Sequence, residues 1–288
     1  MAARGPAILP QLRLLAETLD NSYAGPMNVL AVQMDILWEN KSANLETVRR
    51  LLRQASIPAE SLIVLPEMFA TGFSLNAETT AEAYGGETEQ SLSRLAKELS
   101  VYLVAGAAMR NNKGKSRNKA LIFGPTGDLI AFYSKMRPFS LSGEGTHYQA
   151  GQKPATFRWH DCTVAPFICY DLRFPELFRE AALTHKPELY VVIANWPDKR
   201  ILHWVRLLQA RAIENQAYVV GVNRVGSDPS YVYNGRSVIV DYNGEIVSDA
   251  GSNEGIIQAR LDLEALRKYR QGLPFLQDLV PWNQNPTA

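Results

Sequence analysis

The feature that most restricts how this chain can fold is an exchange of two periodicities. Short, nearly unbroken apolar runs alternate with stretches whose apolar residues recur at helical spacing. Asn28-Val-Leu-Ala-Val-Gln-Met34, Ser61-Leu-Ile-Val-Leu-Pro66 and Val101-Tyr-Leu-Val-Ala-Gly106 read as buried strands. Between them, Leu45, Val48, Leu51 and Leu52, then Leu92, Leu95, Ala96 and Leu99, mark the apolar faces of two helices. A hairpin follows, Ala120–Gly124 and Leu129–Tyr133, joined through Pro125-Thr-Gly-Asp128. The pattern then repeats: strand Thr163–Ile168, a helix from Pro175 to Leu183, strand Leu189–Ala194, a helix over Leu202–Asn215 and strand Tyr218–Val222. Residues Ser237 to Leu261 repeat the hairpin pattern around Asp241-Tyr-Asn-Gly244, before a closing helix. Pro166 assigns its strand to an edge or an irregular position. Together these elements predict an α/β chain with two mixed sheets packed face to face and helices outside, because each sheet face has to be covered. Periodicity leaves the order of the stack open.

No long polar or low-complexity linker interrupts the pattern after Met27. Residues 27–280 are therefore expected to form one domain, with 1–26 as an N-terminal extension and 281–288 as a tail. The opening segment reads as a short surface helix, with Leu12, Leu15, Ala16 and Leu19 at helical spacing after Pro10. Gln11, Arg13, Glu17 and Asp20 interrupt it too soon for a signal peptide or a membrane span. Thirty Lys and Arg against 29 Asp and Glu leave a formal charge of +1. That balance argues against nucleic acid and anionic membranes as partners and favours a small, roughly neutral molecule. The two cysteines, Cys162 and Cys169, would lie roughly 23 Å apart on an extended strand, beyond disulfide reach. Free thiols suit a reducing, cytoplasmic compartment.

Three polar residues stand where apolar strands run out, the end at which ligands collect in α/β proteins: Glu67, Lys135 and Cys169. Cys169 sits at a strand-to-helix junction, where a helix N-terminus and a nearby cation favour the thiolate and where the Tyr170 N–H is offered to an oxyanion. A buried structural cysteine is an equal alternative there, and Cys162 reads as structural. Glu67 follows a very apolar run, in surroundings suited to proton transfer, yet a strand-end carboxylate also serves as a cap or ion-pair partner. Lys135 would place a positive charge beside a developing oxyanion, against the alternative of a solvated surface lysine. His147, His160, His185 and His203 form no HExxH pattern and pair with no cysteine, so no catalytic metal is expected. No glycine-rich segment matches a phosphate-cradling loop, so no nucleotide cofactor is expected either.

Taken together, Leu65-Pro-Glu67-Met-Phe, Tyr133-Ser-Lys135 and Ile168-Cys169-Tyr-Asp-Leu-Arg-Phe-Pro-Glu176 resemble the Glu, Lys and Cys signatures of the nitrilase superfamily, in that family's order. The resemblance runs from Met27 to about Gln277. Ala194-Asn-Trp-Pro197 and Gln209–Val219 look most like the bacterial omega-amidase branch. It implies a four-layer αββα sandwich, often paired into a homodimer, and no cofactor. It also implies Glu67 as general base, Lys135 as oxyanion stabiliser and Cys169 as nucleophile. Glu144, in Ser142-Gly-Glu-Gly145, matches a second glutamate that positions the first or the lysine. Lys135-Met-Arg-Pro-Phe139 departs from the family's usual segment after the lysine, which leaves the surroundings of Arg137 open.

For the omega-amidase branch the implied substrate is the terminal amide of a short 2-oxo dicarboxylate, such as 2-oxoglutaramate or 2-oxosuccinamate. Its charged end needs a cation, for which Arg173 and Arg200 are candidates. Either could instead belong to a structural ion pair, Arg173 more readily. Phe139, Tyr170 and Trp196 are candidate pocket walls, each equally able to be core. Two other readings stand beside this one. The same triad would serve an amidase or N-carbamoyl hydrolase for another small substrate, and the fold would also serve a catalytically silent binding protein.

Overall fold

The computed structural model describes residues 26–111 and 114–281. The first half runs β1 (Met27–Gln33), α1 (Lys41–Arg53), β2 (Leu62–Val64), α2 (Ala77–Thr80), β3 (Glu82–Ala83) and α3 (Glu87–Leu99). It continues through β4 (Tyr102–Arg110), β5 (Ser116–Phe123), β6 (Leu129–Ser134) and the short α4 (Glu144–His147). The second half holds β7 (Phe157–Trp159), β8 (Cys162–Ile168), α5 (Pro175–His185), β9 (Leu189–Ile193), α6 (Ile201–Asn215) and β10 (Tyr218–Val222). After these come β11 (Val225–Ser227), β12 (Val232–Asn234), β13 (Val238–Val240), β14 (Ile246–Asp249), β15 (Gly255–Leu261) and α7 (Leu263–Gly272).

Two mixed sheets result, in the orders β15-β1-β2-β4-β5-β6 and β14-β13-β10-β9-β8-β7, with β3 beside the end of β4 and β11-β12 as a separate ribbon. Strand parity decides the layering, because successive side chains point to opposite faces. On β1, Val29 and Ala31 join the core shared with the second sheet, whereas Leu30 and Val32 pack with Leu45, Val48, Leu92 and Ala96 of α1 and α3. The same split recurs on β5, between Ala120 and Ile122 on one side and Leu121 and Phe123 on the other. On the far side α6 covers β10 so closely that a Cβ on Gly221 would come within 2.3 Å of Leu208. Helices, sheet, sheet and helices therefore stack as the expected αββα sandwich.

Pro166 lies where the sequence placed it. Strand β7 pairs with β8 only as far as Val164, so beyond that point β8 bonds to β9 alone and the missing proline N–H breaks no ladder. The hairpin around Asp241–Gly244 forms as β13 and β14, but the rest of the 237–261 region departs from it. Strand β15 crosses to the other sheet and pairs antiparallel with β1, from Met27 opposite Leu261 to Gln33 opposite Gly255. That crossing covers an edge that β1 would otherwise expose. Strand β5 begins at Ser116, ahead of the Ala120 start read from the apolar run. The helix expected around Leu12–Leu19 lies outside the described residues.

Candidate active site

Strands β1, β2 and β4 are parallel, and two antiparallel steps bring β6 into the same direction. Glu67 after β2 and Lys135 after β6 are thus delivered to one end of the first sheet. Strands β8 and β9 are parallel as well, so Cys169 and Asn195 leave the second sheet side by side. Both sheets present their carboxyl ends to one place, which is how residues far apart in the chain become neighbours.

Glu67 is fully buried. Its Oε1 accepts from Lys135 Nζ at 2.9 Å and Asn118 Nδ2 at 2.6 Å, and its Oε2 accepts from the Asn195 N–H at 2.8 Å. Glu144, also fully buried, takes Lys135 Nζ at 2.8 Å on Oε2 and 3.2 Å on Oε1. The Phe139 N–H donates to Glu144 Oε2 at 2.6 Å. Every oxygen of both carboxylates has a donor. Burial alone would lower Lys135, but Glu144, Glu67 and Cys169 outweigh it and hold the ammonium well above its usual range. The alternative of a solvated surface lysine is thereby excluded for Lys135, which is 2% exposed. Met68, next to Glu67, has φ 43°, and the kinked segment lies directly on Gly106. A Cβ on Gly106 would approach Glu67 Cα to 2.4 Å, so only glycine fits there.

Cys169 opens a 3-10 turn, Cys169–Arg173, that leads into α5 at Pro175. Its φ of 47° is left-handed, a conformation that non-glycine residues rarely hold. The turn is pinned by the buried Asp171, which accepts from the Ile168 N–H, the Arg137 N–H and the Tyr133 hydroxyl. Cys169 Sγ lies 3.8 Å from the Asn195 carbonyl oxygen. The expectation of an easily ionised thiol fails. Burial raises it first and Glu67 next, Lys135 pulls it down, and Glu144 raises it again, leaving the thiol well above its usual pKa. A helix terminus and one cation do not offset two buried carboxylates. That shift favours the protonated thiol over the thiolate. Cys162, at the other end of β8, is a fully buried free thiol.

A cleft of about 410 Å³ opens over Cys169 and Lys135. Every sequence candidate for the pocket lines it: Phe139, Tyr170, Arg173, Trp196 and Arg200. Trp196 is held by its N–H to the Asn223 side chain and by its ring N–H to the Arg200 carbonyl, both at 2.8 Å. Arg173 lies 4.7 Å over the Trp196 ring and 3.4 Å from His203 Nδ1, and Arg200 lies 5.8 Å over Phe139. Among the described residues neither arginine pairs with a carboxylate, so the structural ion pair weighed for each is not formed there. Burial, then the like charge of Arg200, lowers Arg173. Arg137 points elsewhere, its guanidinium over Phe174 and 3.4 Å from Glu176.

The model of the carbon-nitrogen hydrolase family matches residues 28–271. The chain belongs to that family. It is 36% identical over 254 residues to the omega-amidase YafV of Escherichia coli (strain K12), across 88% of this chain and 96% of that protein. It is 32% identical over 252 residues to the 2-oxoglutaramate amidase of Bacillus subtilis (strain 168), across 87% and 96%. Among solved structures, the CN-hydrolase superfamily protein XC1258 from Xanthomonas campestris, with an arsenic adduct in its active site, aligns with a TM-score of 0.84. The identity there is 29%, over 91% of this chain and 100% of that one. The fold and family implied by the three motifs are thus correct, and the chain is an enzyme that hydrolyses carbon–nitrogen bonds.

In this hydrolase the structure adds residues that the sequence reading gave no role. Asn118 bridges the two carboxylates, and Asn195 meets Glu67 with its backbone N–H and with its side chain, whose Nδ2 donates to the Glu67 carbonyl at 2.7 Å. Phe73, Tyr231 and Tyr233 complete the cleft. Tyr231 and Tyr233 come from the β11-β12 ribbon, whose turn is organised by Asp228 accepting from the Ser230 and Tyr231 N–H groups. A usable signal existed for Asn118 alone: it shares strand parity with Ala120 and Ile122, so it is a polar residue on a core-facing position.

Proposed function

We propose that this hydrolase is a cysteine-dependent amidase that cleaves the terminal amide of a short 2-oxo dicarboxylate, 2-oxoglutaramate or 2-oxosuccinamate, to the acid and ammonia. The observation that carries the reading is the pairing of contents in one cleft. Cys169 and Lys135 lie beside Arg173 and Arg200, two guanidinium groups with no carboxylate partner among the described residues. An amide at the thiol and a carboxylate at the arginines describe such a substrate from its two ends. The names borne by the two relatives agree with it.

In the first half-reaction Glu67 takes the thiol proton as Sγ attacks the amide carbon. The negative charge that gathers on the carbonyl oxygen is held by the Lys135 ammonium and the Tyr170 N–H. The carbon–nitrogen bond then breaks, and the nitrogen leaves as ammonia with the proton from Glu67. Water next gives a proton to Glu67 and attacks the thioester; the carbon–sulfur bond breaks and sulfur recovers that proton. Glu144 shares the ammonium with Glu67 and so keeps Lys135 in place. Residues 27–280 act as the hydrolase domain. Two unpaired thiols support a cytoplasmic location, and the exposed Leu202 and Ile213 on α6 offer apolar surface to a second copy in a homodimer.

The test is ammonia release from 2-oxoglutaramate, with glutamine and asparagine as controls, in the wild type and in Cys169→Ala. Strong release that depends on Cys169 and spares the controls is expected. Equal release from glutamine would sink the assignment of substrate, and release by Cys169→Ala would sink the covalent scheme.

A further inference from the structure

Lys135 is not the only side chain that holds the two carboxylates together, and the second one is neutral. Asn118 lies near the start of β5 and is 2% exposed. Its Nδ2 donates to Glu67 Oε1 at 2.6 Å and to Glu144 Oε1 at 3.0 Å. Its backbone carbonyl accepts the Lys135 N–H at 2.9 Å. One residue therefore touches all three charged members of the cluster.

The orientation of the amide is informative. Asn118 Oδ1 is buried and has no hydrogen-bond partner among the described residues, an arrangement that costs about 1–3 kcal/mol. The opposite orientation would set that oxygen against two carboxylate oxygens, so the amide keeps its orphan and gives both N–H groups to Glu67 and Glu144. Asn118 and Lys135 both donate to Oε1 of Glu67. Among the described residues Oε2 accepts from Asn195 alone, and the Asn195 carbonyl lies 3.8 Å from Cys169 Sγ.

We infer that Asn118 is a positioning residue for the hydrolysis: by bridging Glu67 and Glu144 it holds Oε2 of Glu67 toward the thiol without adding charge. The inference rests on the reading of Glu67 as the base. Residue type matters here. A second ammonium would add another buried charge, a hydroxyl has only one hydrogen to give, and an amide nitrogen has two.

The experiment compares Asn118→Ala and the isosteric Asn118→Asp with Glu67→Gln, measuring kcat and KM for ammonia release from about pH 5 to about pH 9. Lys135, Glu144 and Cys169 face Glu67, and Tyr148 senses both carboxylates; all four are kept in the Asn118 variants. Asn118→Ala is expected to lower kcat by about 10²-fold with KM little changed. Asn118→Asp should be slower still at neutral pH and regain activity on acidification, as the introduced carboxyl takes a proton and can donate again. Unchanged kcat in Asn118→Ala, or a loss that falls on KM instead of kcat, would overturn the inference. If that variant does not fold, an Asn118→Asp profile of wild-type shape overturns it equally. Glu67→Gln separates the two layers: an active Glu67→Gln removes the base and with it this inference, whereas a silent one beside normal Asn118 variants removes Asn118 alone.

Discussion

The two sides of the active cleft are built on opposite plans. Behind the thiol, Glu67, Glu144, Lys135 and Asn118 are buried, and every carboxylate oxygen is already hydrogen-bonded. In front of it, Arg173 and Arg200 rest on aromatic rings, partly exposed and, among the described residues, without a carboxylate. Groups that move protons must be held in place before the substrate arrives, since reorganising them would add to the barrier. Groups that recognise the substrate must keep an unmet valence for it, since a guanidinium already paired would have to give up one partner to gain another. The contrast separates a saturated cluster from an unsaturated pair of cations, and it fits the proposed division between chemistry and recognition.

The contrast can be broken in several places. Removing the proposed nucleophile should have the largest effect: Cys169→Ala should cut turnover by at least about 10⁴-fold while leaving the substrate bound, which equilibrium dialysis with 2-oxoglutaramate would show. Lys135→Met strikes the saturated side. It leaves two buried carboxylates without their cation, so thermal or urea unfolding should show a loss of about 3–5 kcal/mol along with the activity. An inactive variant of unchanged stability would mean that the cluster is less tightly coupled than its geometry implies.

The open side should behave differently. Arg173→Met and Arg200→Met should each raise KM for 2-oxoglutaramate, with stability nearly unchanged, because no ion pair is lost within the described chain. The arginine that meets the carboxylate should cost about 1.5–3 kcal/mol, roughly ten- to a hundredfold in KM. Matching losses from both variants would point to a shared, two-pronged contact, and no loss from either would remove the carboxylate from this end of the cleft.

The smallest effect concerns Asp171, which holds the Cys169 turn. Burial pushes its carboxyl up to about 7, against the help that Lys135, Tyr133 and two backbone N–H groups give the ionised form. An unfolded aspartate titrates near 3.9. With the folded pKa above the unfolded one, the stability contributed by its proton is full below about pH 4 and is lost as pH rises through about 7. The gap in Tm between wild type and Asp171→Ala should therefore be widest near pH 4 and narrow toward neutrality. A gap that widened with pH would show that the turn is held by the charged form instead.

Much of this could be read from the chain alone. Apolar runs and helical spacing are local, and they located β1, β8, β9, β10, α5 and α6 closely. The polar residues that end strands, Glu67, Lys135 and Cys169, stood out because a strand that stops at a charge or a thiol exposes it at a sheet end. Glu144 was legible only through the family's motif. Asn118 was hidden because the strand was started at Ala120, two residues too late to show that position 118 faces the core. Tyr231 and Tyr233 were hidden because a short ribbon has no long-range periodicity.

The amino-acid sequence by itself determined the elements, their buried faces and the polar side chains that end the strands, since all of these depend on neighbours a few positions away. Only the tertiary structure decided the partnerships. Glu67 and Lys135 lie 68 residues apart and Glu67 and Asn195 lie 128 apart, and they meet because strands of two sheets end together. The crossing of β15, the raised pKa of the thiol and the lack of a carboxylate partner for the two arginines among the described residues follow from the same non-local arrangement. A pKa or an unpaired charge is set by what surrounds a group in space, and no local pattern encodes that.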